Sequence, residues 1–259
     1  MAIEMNKTYN GDCLEIMKTF PDGSIDMVFC DLPYGTTRNP WDTIIPLDEL
    51  WQEYKRVVKK DGAIVLTSQS PFDKVLACSN LDMFKYEWIW EKNKATGHLN
   101  AKKMPMKAHE NILIFYRKLP PYNAQKTTGH MPVHEVKPKD NIPKPDVLRN
   151  YGHMDQRLGN DGTQTWRWPR DVLTFPVINN DDPLKWHPTQ KPVKMIEYFI
   201  NTYSNEGDVV LDNCMGSGST CVACLGTNRQ YIGIELNTEY YDEATKWIND
   251  SNRLLRFMK

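Results

Sequence analysis

The sequence has no apolar run that approaches the roughly 18 residues of a membrane span, and its first residues lack the apolar core of a signal peptide. It also lacks an excess of charge, since 32 Lys and Arg residues stand against 33 Asp and Glu residues. It contains no internal repeat and no low-complexity tract. A chain of 259 residues is long enough to bury a sizeable core. We therefore expect a cytoplasmic globular protein without a membrane-spanning segment.

The six cysteines do not form the paired pattern of a disulfide framework, because they lie scattered among hydrophobic positions. This distribution is typical of buried thiols in a reducing compartment. Cys221 and Cys224 have the spacing of a metal-binding or redox pair. They fall in a predicted helix and no second pair follows, so we interpret them as packing thiols and predict no metal site.

The hydrophobic pattern predicts strands that alternate with helices. Short apolar runs predict strands at 25–30, 63–67, 85–90, 111–116, 208–211 and 231–234. Helical spacing predicts helices at 47–60, 71–81, 193–203, 219–225 and 239–249. This alternation predicts an α/β fold with a mostly parallel sheet, in which function belongs at the carboxyl ends of the strands.

The middle of the chain interrupts this alternation. Proline and polar residues dominate from about 119 to 184, and the periodicity fades. The segment is either a disordered insert or an irregular binding region. We therefore divide the chain into residues 1–118, an inserted segment at 119–185, and residues 186–259.

A glycine turn follows the strand at 208–211. That strand ends in Asp212, and Gly216 and Gly218 open the next helix. Glycines permit a tight turn and close approach of a ligand to the backbone. Cys221 stands where a dinucleotide-binding motif would have its third glycine, and no Gly-Lys-Ser/Thr of a phosphate-binding loop follows. Beside an acidic residue, the turn suits a cationic or neutral ligand; an ordinary strand-to-helix turn is the alternative.

Glu235 ends the next strand along the chain. A carboxylate in this place can accept hydrogen bonds from both hydroxyls of a ribose. Alone it would equally well be a surface glutamate. Together with the glycine turn, it predicts a cofactor that contains adenosine.

A second chemical motif, Asp31-Leu32-Pro33-Tyr34, stands at the end of the strand at 25–30. The Asp31 carboxylate and the Leu32 carbonyl form an acceptor pair beside the aromatic ring of Tyr34. Two acceptors and a stacking ring suit a planar base that carries an amine. The alternative is a turn with a buried tyrosine.

These motifs resemble those of the β-class DNA N6-adenine/N4-cytosine methyltransferases, which use S-adenosylmethionine. Residues 31–34 resemble the family's Asp-Pro-Pro-Tyr, residues 212–218 its cofactor loop, and residues 187–192 the segment before that loop. Residues 11–13 match a further cofactor element, and the catalytic motif precedes the cofactor loop as in the β class. The resemblance covers about 7–118 and 185–249. It implies a Rossmann-like, seven-stranded sheet in permuted motif order, with a target-recognition region at 119–185.

The sequence departs from the family pattern at two places. Leu32 replaces the first proline of the catalytic motif, which is tolerable because that position contributes its backbone carbonyl. Asn213 and Cys214 replace a Pro-Phe pair of the cofactor loop. An aromatic contact with the cofactor is therefore expected to be absent, which affects cofactor affinity and not the reaction type.

The resemblance also implies roles for individual residues. Asp12 would contact the adenine of the cofactor, Glu235 its ribose, and Asp212 and Asp31 its ammonium group. Thr189, Gln190 and Lys191 would line its carboxylate end. The further cofactor-binding positions are Cys13, Cys214, Gly216, Ser217, Gly218 and Ser219, and the catalytic positions are Asp31, Leu32, Pro33 and Tyr34. Asp rather than Ser at the first motif position favours adenine over cytosine.

The charge distribution indicates a polyanion partner. Residues 92–170 contain 15 Lys and Arg but 6 Asp and Glu, whereas the rest of the chain is acidic. We therefore expect double-stranded DNA as the partner, although a solvated basic surface is the alternative. The predicted phosphate contacts are Lys102, Lys103 and Lys107, and the predicted base contacts are Arg149, Arg157, Arg167 and Arg170. The family implies a homodimer, which no sequence feature establishes.

Three other functions remain open at this level. The chain could methylate cytosine N4, since the family covers both bases. It could methylate RNA or protein, although related enzymes with those substrates usually place the cofactor loop before the tetrapeptide. It could also bind DNA without catalysis, for which the altered loop at Asn213 and Cys214 is the only support.

Overall fold

The computed structural model describes residues 3–35, 42–132, 163–179, 181–182 and 185–258. The strands are β1 (Lys7–Asn10), β2 (Ile25–Asp31), β3 (Val58–Ser68), β4 (Phe84–Thr96), β5 (Lys107–Phe115), β6 (Val172–Phe175), β7 (Val209–Asp212) and β8 (Gln230–Glu235). The helices are α1 (Cys13–Met17), α2 (Leu47–Val57), α3 (Phe72–Cys78), α4 (Val193–Tyr203), α5 (Ser219–Gly226) and α6 (Thr238–Met258), with a 3₁₀ turn at His98–Asn100. Within these ranges, no helix has the length and apolar character that a membrane crossing requires.

The strands form one open sheet in the order β1-β8-β7-β2-β3-β5-β4-β6. Every neighbouring pair is parallel except the two that β5 makes with β3 and β4. This confirms the mixed, mostly parallel α/β fold. The sheet has eight strands and not seven, because β6 adds to its edge beside β4. That strand lies in the segment whose periodicity was too weak to predict one.

The strand β2 lies at the centre of the sheet and shows why residues 27–30 are all apolar. Val28 and Cys30 face the cluster that contains α1, α2 and α3, whereas Met27 and Phe29 face α4, α5 and α6. Successive side chains of a strand point to opposite faces. The part of a strand that helices cover on both faces therefore needs apolar residues in succession.

The boundary between α2 and β3 differs from the prediction of a helix over 47–60. The helix ends at Val57, because Val58 is extended and pairs with Ile25. Gly62 then lies inside β3, where an added Cβ would meet the carbonyl oxygen of Asp26 at 2.6 Å. This glycine permits close approach of two backbones and does not end the helix.

The chain divides into two compact units, residues 1–123 with 170–259, and residues 124–169. The sheet and the six helices of the described residues belong to the first unit. In the second unit, Thr127 and Arg167 form an antiparallel bridge. The Lys126 ammonium lies 4.0 Å from the Trp166 ring centroid and 4.4 Å from that of Trp168.

Candidate active site

A cavity of about 990 Å³ opens at the carboxyl ends of the central strands. Because β2 and β7 are parallel neighbours, their terminal residues Asp31 and Asp212 reach the same edge of the sheet. The predicted residues that line the cavity are Asp12, Cys13, Asp31, Leu32, Pro33, Tyr34, Thr189, Gln190, Lys191, Asp212, Cys214, Gly216, Ser217, Ser219 and Glu235. Thus the fold brings residues from both ends of the chain into one site.

Both carboxylate oxygens of Asp31 have partners: Oδ1 accepts hydrogen bonds, and Oδ2 forms an ion pair. The Tyr34 hydroxyl donates to its Oδ1 at 2.5 Å, and the hydroxyl of Thr67 donates to the same oxygen. Lys191 Nζ lies 2.7 Å from Oδ2. Thr67 pairs with Asp31 in the register of β2 and β3, which explains how it reaches the carboxylate.

The Tyr34 ring stacks on Phe72, with the ring centroids 5.5 Å apart. Burial and then the Asp31 carboxylate raise the pKa of the Tyr34 hydroxyl well above its usual range. It therefore stays protonated at neutral pH and can donate. The side chain of Leu32 is buried in the core, so this residue offers the cavity mainly backbone.

Lys191 belongs to a chain of ion pairs that the sequence analysis did not predict. Its Nζ lies 3.1 Å from Glu110 Oε2, and Glu110 Oε1 lies 2.5 Å from Lys92 Nζ. Burial lowers the pKa of Lys191, but Asp31 and Glu110 outweigh burial and raise it overall. Burial raises the pKa of Glu110, but Lys191 and Lys92 outweigh it and lower it overall. Lys191 and Glu110 are therefore both charged at neutral pH.

Both predicted glycines of the turn between β7 and α5 adopt left-handed backbone conformations. Gly216 has φ 47° and lines the cavity, whereas Gly218 has φ 80° and lies behind the wall. A Cβ on Gly218 would meet Ile248 of α6 at 2.9 Å. This glycine therefore serves packing of the turn against a helix and does not line the cavity.

Asp212 is 4% exposed at the base of the turn. Burial raises the pKa of its carboxyl to about 7. Its Oδ1 accepts a hydrogen bond from the Cys214 backbone N–H at 3.2 Å. A buried carboxyl that titrates near neutrality would gain from a cationic ligand, which favours its ionised form.

Glu235 holds the turn and faces the cavity. Its Oε2 accepts from the Gly216 N–H at 2.9 Å and its Oε1 from the Asn237 N–H at 2.8 Å. Burial raises the pKa of Glu235. Each oxygen of a carboxylate can accept more than one hydrogen bond, so these contacts orient the carboxylate and leave it capable of binding hydroxyls.

Asp12 begins the short helix α1 as its N-cap. One carboxylate oxygen, Oδ1, accepts from the backbone N–H groups of Leu14 and Glu15 at 2.9 and 3.1 Å. The cap fixes the orientation of Asp12 at the cavity wall. A ligand at this position would therefore contact the other carboxylate oxygen, Oδ2.

The departure at Asn213 has a structural explanation. Asn213 is 1% exposed, and its Oδ1 accepts a hydrogen bond from the buried Tyr54 hydroxyl at 2.6 Å. Its amide nitrogen lies 3.7 Å from Cys13 Sγ and 3.5 Å from Cys214 Sγ. The side-chain amide of Asn213 is therefore held by Tyr54 and the two thiols, and both Asn213 and Cys214 line the cavity.

His187 and its neighbours Thr189 and Gln190 also line the cavity. His187 is buried, and burial lowers its pKa to about 4, so the ring is neutral at physiological pH. Its Nδ1 lies 3.3 Å from both the backbone nitrogen and Oγ1 of Thr189. Tyr240 packs edge-on against the ring at 4.5 Å. Gln190 Oε1 accepts from the Trp186 N–H.

The predicted DNA contacts lie in different environments. Lys102 and Lys103 are exposed at the tip of the β4–β5 hairpin, and Arg170 is exposed. Lys107 Nζ donates to Gln69 Oε1 at 2.9 Å and to the Ser70 carbonyl. In the second unit, the Arg167 guanidinium donates to the carbonyls of Gln164, Trp166 and Met131. Arg149 and Arg157 lie outside the described residues.

The sequence analysis missed Thr67, Lys92 and Glu110. Each belongs to a different strand, and only strand pairing brings them near Asp31. Glu110 offered one signal, as a carboxylate within a basic stretch, two positions before the apolar run at 112–115.

Cys221 and Cys224, interpreted from the sequence as packing thiols, lie in the core. Cys221 and Cys224 are fully buried, and burial raises the pKa of both thiols, so they are poor thiolates. Within the described part of the chain, no group of His, Cys, Asp or Glu could hold a metal ion.

Comparison with known proteins gives consistent matches. A family model described as DNA methylase matches residues 25–246. The DNA adenine methyltransferase YhdJ of Escherichia coli is 30% identical over 253 residues, covering 92% of this chain and 80% of that protein. The type II methyltransferase M1.MboII of Moraxella bovis is 25% identical, covering 95% of this chain and 98% of that one.

Solved structures of the same fold also match. The M1.HpyAVI–SAM complex has a TM-score of 0.62 at 22% identity and covers 94% of this chain and 98% of that one. The PvuII DNA methyltransferase, described as cytosine-N4-specific, has a TM-score of 0.66 at 16% identity, with coverages of 97% and 93%.

Proposed function

The chain belongs to the DNA methylase family of N6-adenine and N4-cytosine methyltransferases, and we propose that it methylates the N6 amine of an adenine flipped out of double-stranded DNA. The methyl donor is S-adenosylmethionine. The single observation that carries the proposal is the meeting of Asp31, Tyr34 and Asp212 at one cavity.

The cavity suits this donor chemically. Its wall carries the buried carboxyl of Asp212, which favours a cation, and the oriented carboxylate of Glu235, which can accept ribose hydroxyls. S-adenosylmethionine, when bound, supplies an electrophilic methyl group on a sulfonium centre. Asp12, with one oxygen occupied by its helix cap, offers the other to the adenine end.

Asp31 and the Leu32 carbonyl would hold the two N–H groups of the target amine. The lone pair of such an amine is delocalised into the ring, which makes it a poor nucleophile. Two acceptors favour the pyramidal amine during attack through orientation and charge stabilisation. The methylated nitrogen then releases one proton, for which the Asp31 carboxylate is the acceptor in reach. Tyr34 would stack on the base and offset part of the stacking lost on flipping.

Adenine is the proposed base on two grounds. The first position of the catalytic motif is Asp31 and not serine, and the Escherichia coli relative is described as an adenine methyltransferase. Cytosine N4 is the second candidate, because the family covers both bases and the PvuII enzyme is described as cytosine-specific. The type II relatives support a role as a modification enzyme.

The direct test combines the purified chain with labelled S-adenosylmethionine and mixed-sequence duplex DNA. Nuclease digestion and chromatography then identify the methylated nucleoside. We expect N6-methyladenine, and none from the Asp31→Ala variant, which should still bind DNA. Label in N4-methylcytosine would overturn the base assignment. Label in RNA or protein but not DNA would overturn the substrate class, and undetectable cofactor binding by calorimetry would indicate a non-catalytic DNA-binding module.

A further inference from the structure

Four alternating charges extend from the catalytic motif into the sheet, in the order Asp31, Lys191, Glu110 and Lys92. The Lys191, Glu110 and Lys92 side chains are only 11%, 9% and 6% exposed. The two ammonium groups balance the two carboxylates, so the chain has no net charge. We name these four residues the charge chain.

Stability alone gives a weak reason for such an arrangement. Removing four charged groups from water is costly, and apolar side chains often replace buried ion pairs without loss of stability. The charge chain also ends at the carboxylate that would hold the target amine. A role in the reaction accounts for this position, whereas a role in packing does not.

We propose that Glu110 and Lys92 are positioning residues for methyl transfer, acting through Lys191 on Asp31. Lys191 Nζ lies between Asp31 Oδ2 and Glu110 Oε2, at 2.7 and 3.1 Å, so the two carboxylates share its charge. Lys191 thereby fixes the orientation of Asp31 without neutralising it fully. Asp31 remains a strong acceptor for the amine N–H. This inference rests on the proposed function.

Lys92 binds the other carboxylate oxygen of Glu110. Glu110 pairs with Trp90 across β4 and β5, and Lys92 lies two residues farther along the same face of β4. Its Nζ therefore reaches Glu110 Oε1 and helps keep that carboxylate ionised. Without Lys92, Glu110 would compete more strongly for Lys191. Without Glu110, the remaining three groups would carry a net positive charge beside a cationic cofactor.

Single-turnover methyl transfer measures the positioning effect. Glu110→Gln should lower the rate about 100-fold, the penalty of misplacing a reacting group by about 1 Å. Lys92→Met should also lower it. The double variant should be no slower than Glu110→Gln alone, because Lys92 acts through Glu110. Lys59→Met is the control for loss of a lysine ion pair, since Lys59 forms a 2.5 Å ion pair with Asp26 at the opposite end of β3, where its side chain is 47% exposed. Its rate should not change.

Cofactor affinity provides a readout of charge that does not require transfer. By calorimetry with S-adenosylmethionine, Glu110→Gln should raise the Kd, and the double variant, again neutral, should return it towards the wild-type value. A purely structural role would lower the thermal midpoint without this reversal. Lys92→Arg keeps the charge and should stay closer to wild type than Lys92→Met in both measurements.

Wild-type rates and Kd values in Glu110→Gln and Lys92→Met would overturn the proposal. If Glu110→Gln does not fold, the comparison of Lys92→Arg with Lys92→Met decides, and equal losses in the two would overturn it. Rates are measured on whichever base the wild type methylates, so a wrong base assignment leaves the test valid. A wild type that binds cofactor but transfers no methyl group overturns the proposed function, while the Kd pattern still tests the charge chain.

Discussion

The hydroxyl of Tyr34 donates a 2.5 Å hydrogen bond to Oδ1 of Asp31. The ring proposed to stack on the target base is thus tied to the carboxylate proposed to hold its amine. Thr67 donates to the same oxygen. An incoming amine can therefore bind Oδ2 beside Lys191, or replace one of the two hydroxyls at Oδ1. The Tyr34 hydroxyl is the one carried by the residue proposed to contact the base.

This relationship predicts different effects for two substitutions of Tyr34. Tyr34→Phe keeps the stacking ring and removes one competing donor, so the single-turnover rate should stay within a few-fold of wild type. Tyr34→Ala removes the ring, and loss of about 1–3 kcal/mol of stacking should reduce transfer about 5- to 150-fold. Calorimetry should show little change in cofactor affinity for either variant. Equal rate losses in both would assign the function to the hydroxyl.

Asp212 predicts a pH dependence of cofactor binding. Its pKa is raised to about 7, so in the free protein the carboxyl is largely protonated below this pH and ionised above it. A cationic ligand binds the ionised form. The Kd for S-adenosylmethionine should therefore fall as the pH rises from about 5.5 to 7, below the titration of an α-amino group near 8.

Asp212→Asn is the control for that profile, because the amide cannot titrate. It should bind more weakly at pH 7 and show a flatter dependence. His187, with a pKa of about 4, stays neutral over this range and contributes no slope. An unchanged slope in Asp212→Asn would assign the titration to another group, such as Glu235.

Lys102 and Lys103 predict a change in the salt dependence of DNA binding. Each lysine that contacts a phosphate contributes about 0.9 to the slope of log K against log salt. The double substitution of both residues by alanine should therefore reduce the slope by about 2, measured by fluorescence anisotropy on duplex DNA. Lys194→Ala is the matched control, because its side chain is 84% exposed on α4 and lies outside the predicted contacts. Equal slopes in all three proteins would contradict the assignment.

The buried pair of Tyr54 and Asn213 predicts a loss of stability. Tyr54→Phe would leave the Asn213 carbonyl oxygen without its donor in a buried place, which costs about 1–3 kcal/mol. Urea denaturation should show a free energy of unfolding lower by this amount. Adding Asn213→Leu, which removes the unsatisfied oxygen, should recover much of the loss. A neutral Tyr54→Phe would mean that water or another group replaces the hydroxyl.

The elements predicted from the sequence are those with strong periodicity. The helix at 193–203 coincides with α4, and the apolar run at 25–30 falls within β2. The short strand β1 and the edge strand β6 were missed. Both are short and lack the full burial of β7, which is equally short but was predicted from its apolar run. The strand β6 forms because β4 offers it a partner. Pairing with a distant strand is not visible in a local window.

Some residues of the candidate site could likewise be predicted from the sequence, whereas the contacts of others could not. Asp31, Asp212 and Glu235 could be predicted because each is a carboxylate directly after an apolar strand. Lys191 was placed among the cofactor contacts, yet its ammonium lies between Asp31 and Glu110. No spacing in the sequence indicates that Lys191 pairs with these two carboxylates.

The sequence by itself determined the alternation of strands and helices, the order of the motifs and the carboxylates at the strand ends. These follow from side-chain periodicity and from the turn chemistry of glycine, which act over a few residues. The tertiary structure alone decided that Thr67 holds Asp31, that Lys92 and Glu110 extend its ion pair, and that Tyr54 binds Asn213. These contacts join residues far apart in the chain, so their distances depend on the register of the sheet and the packing of its helices.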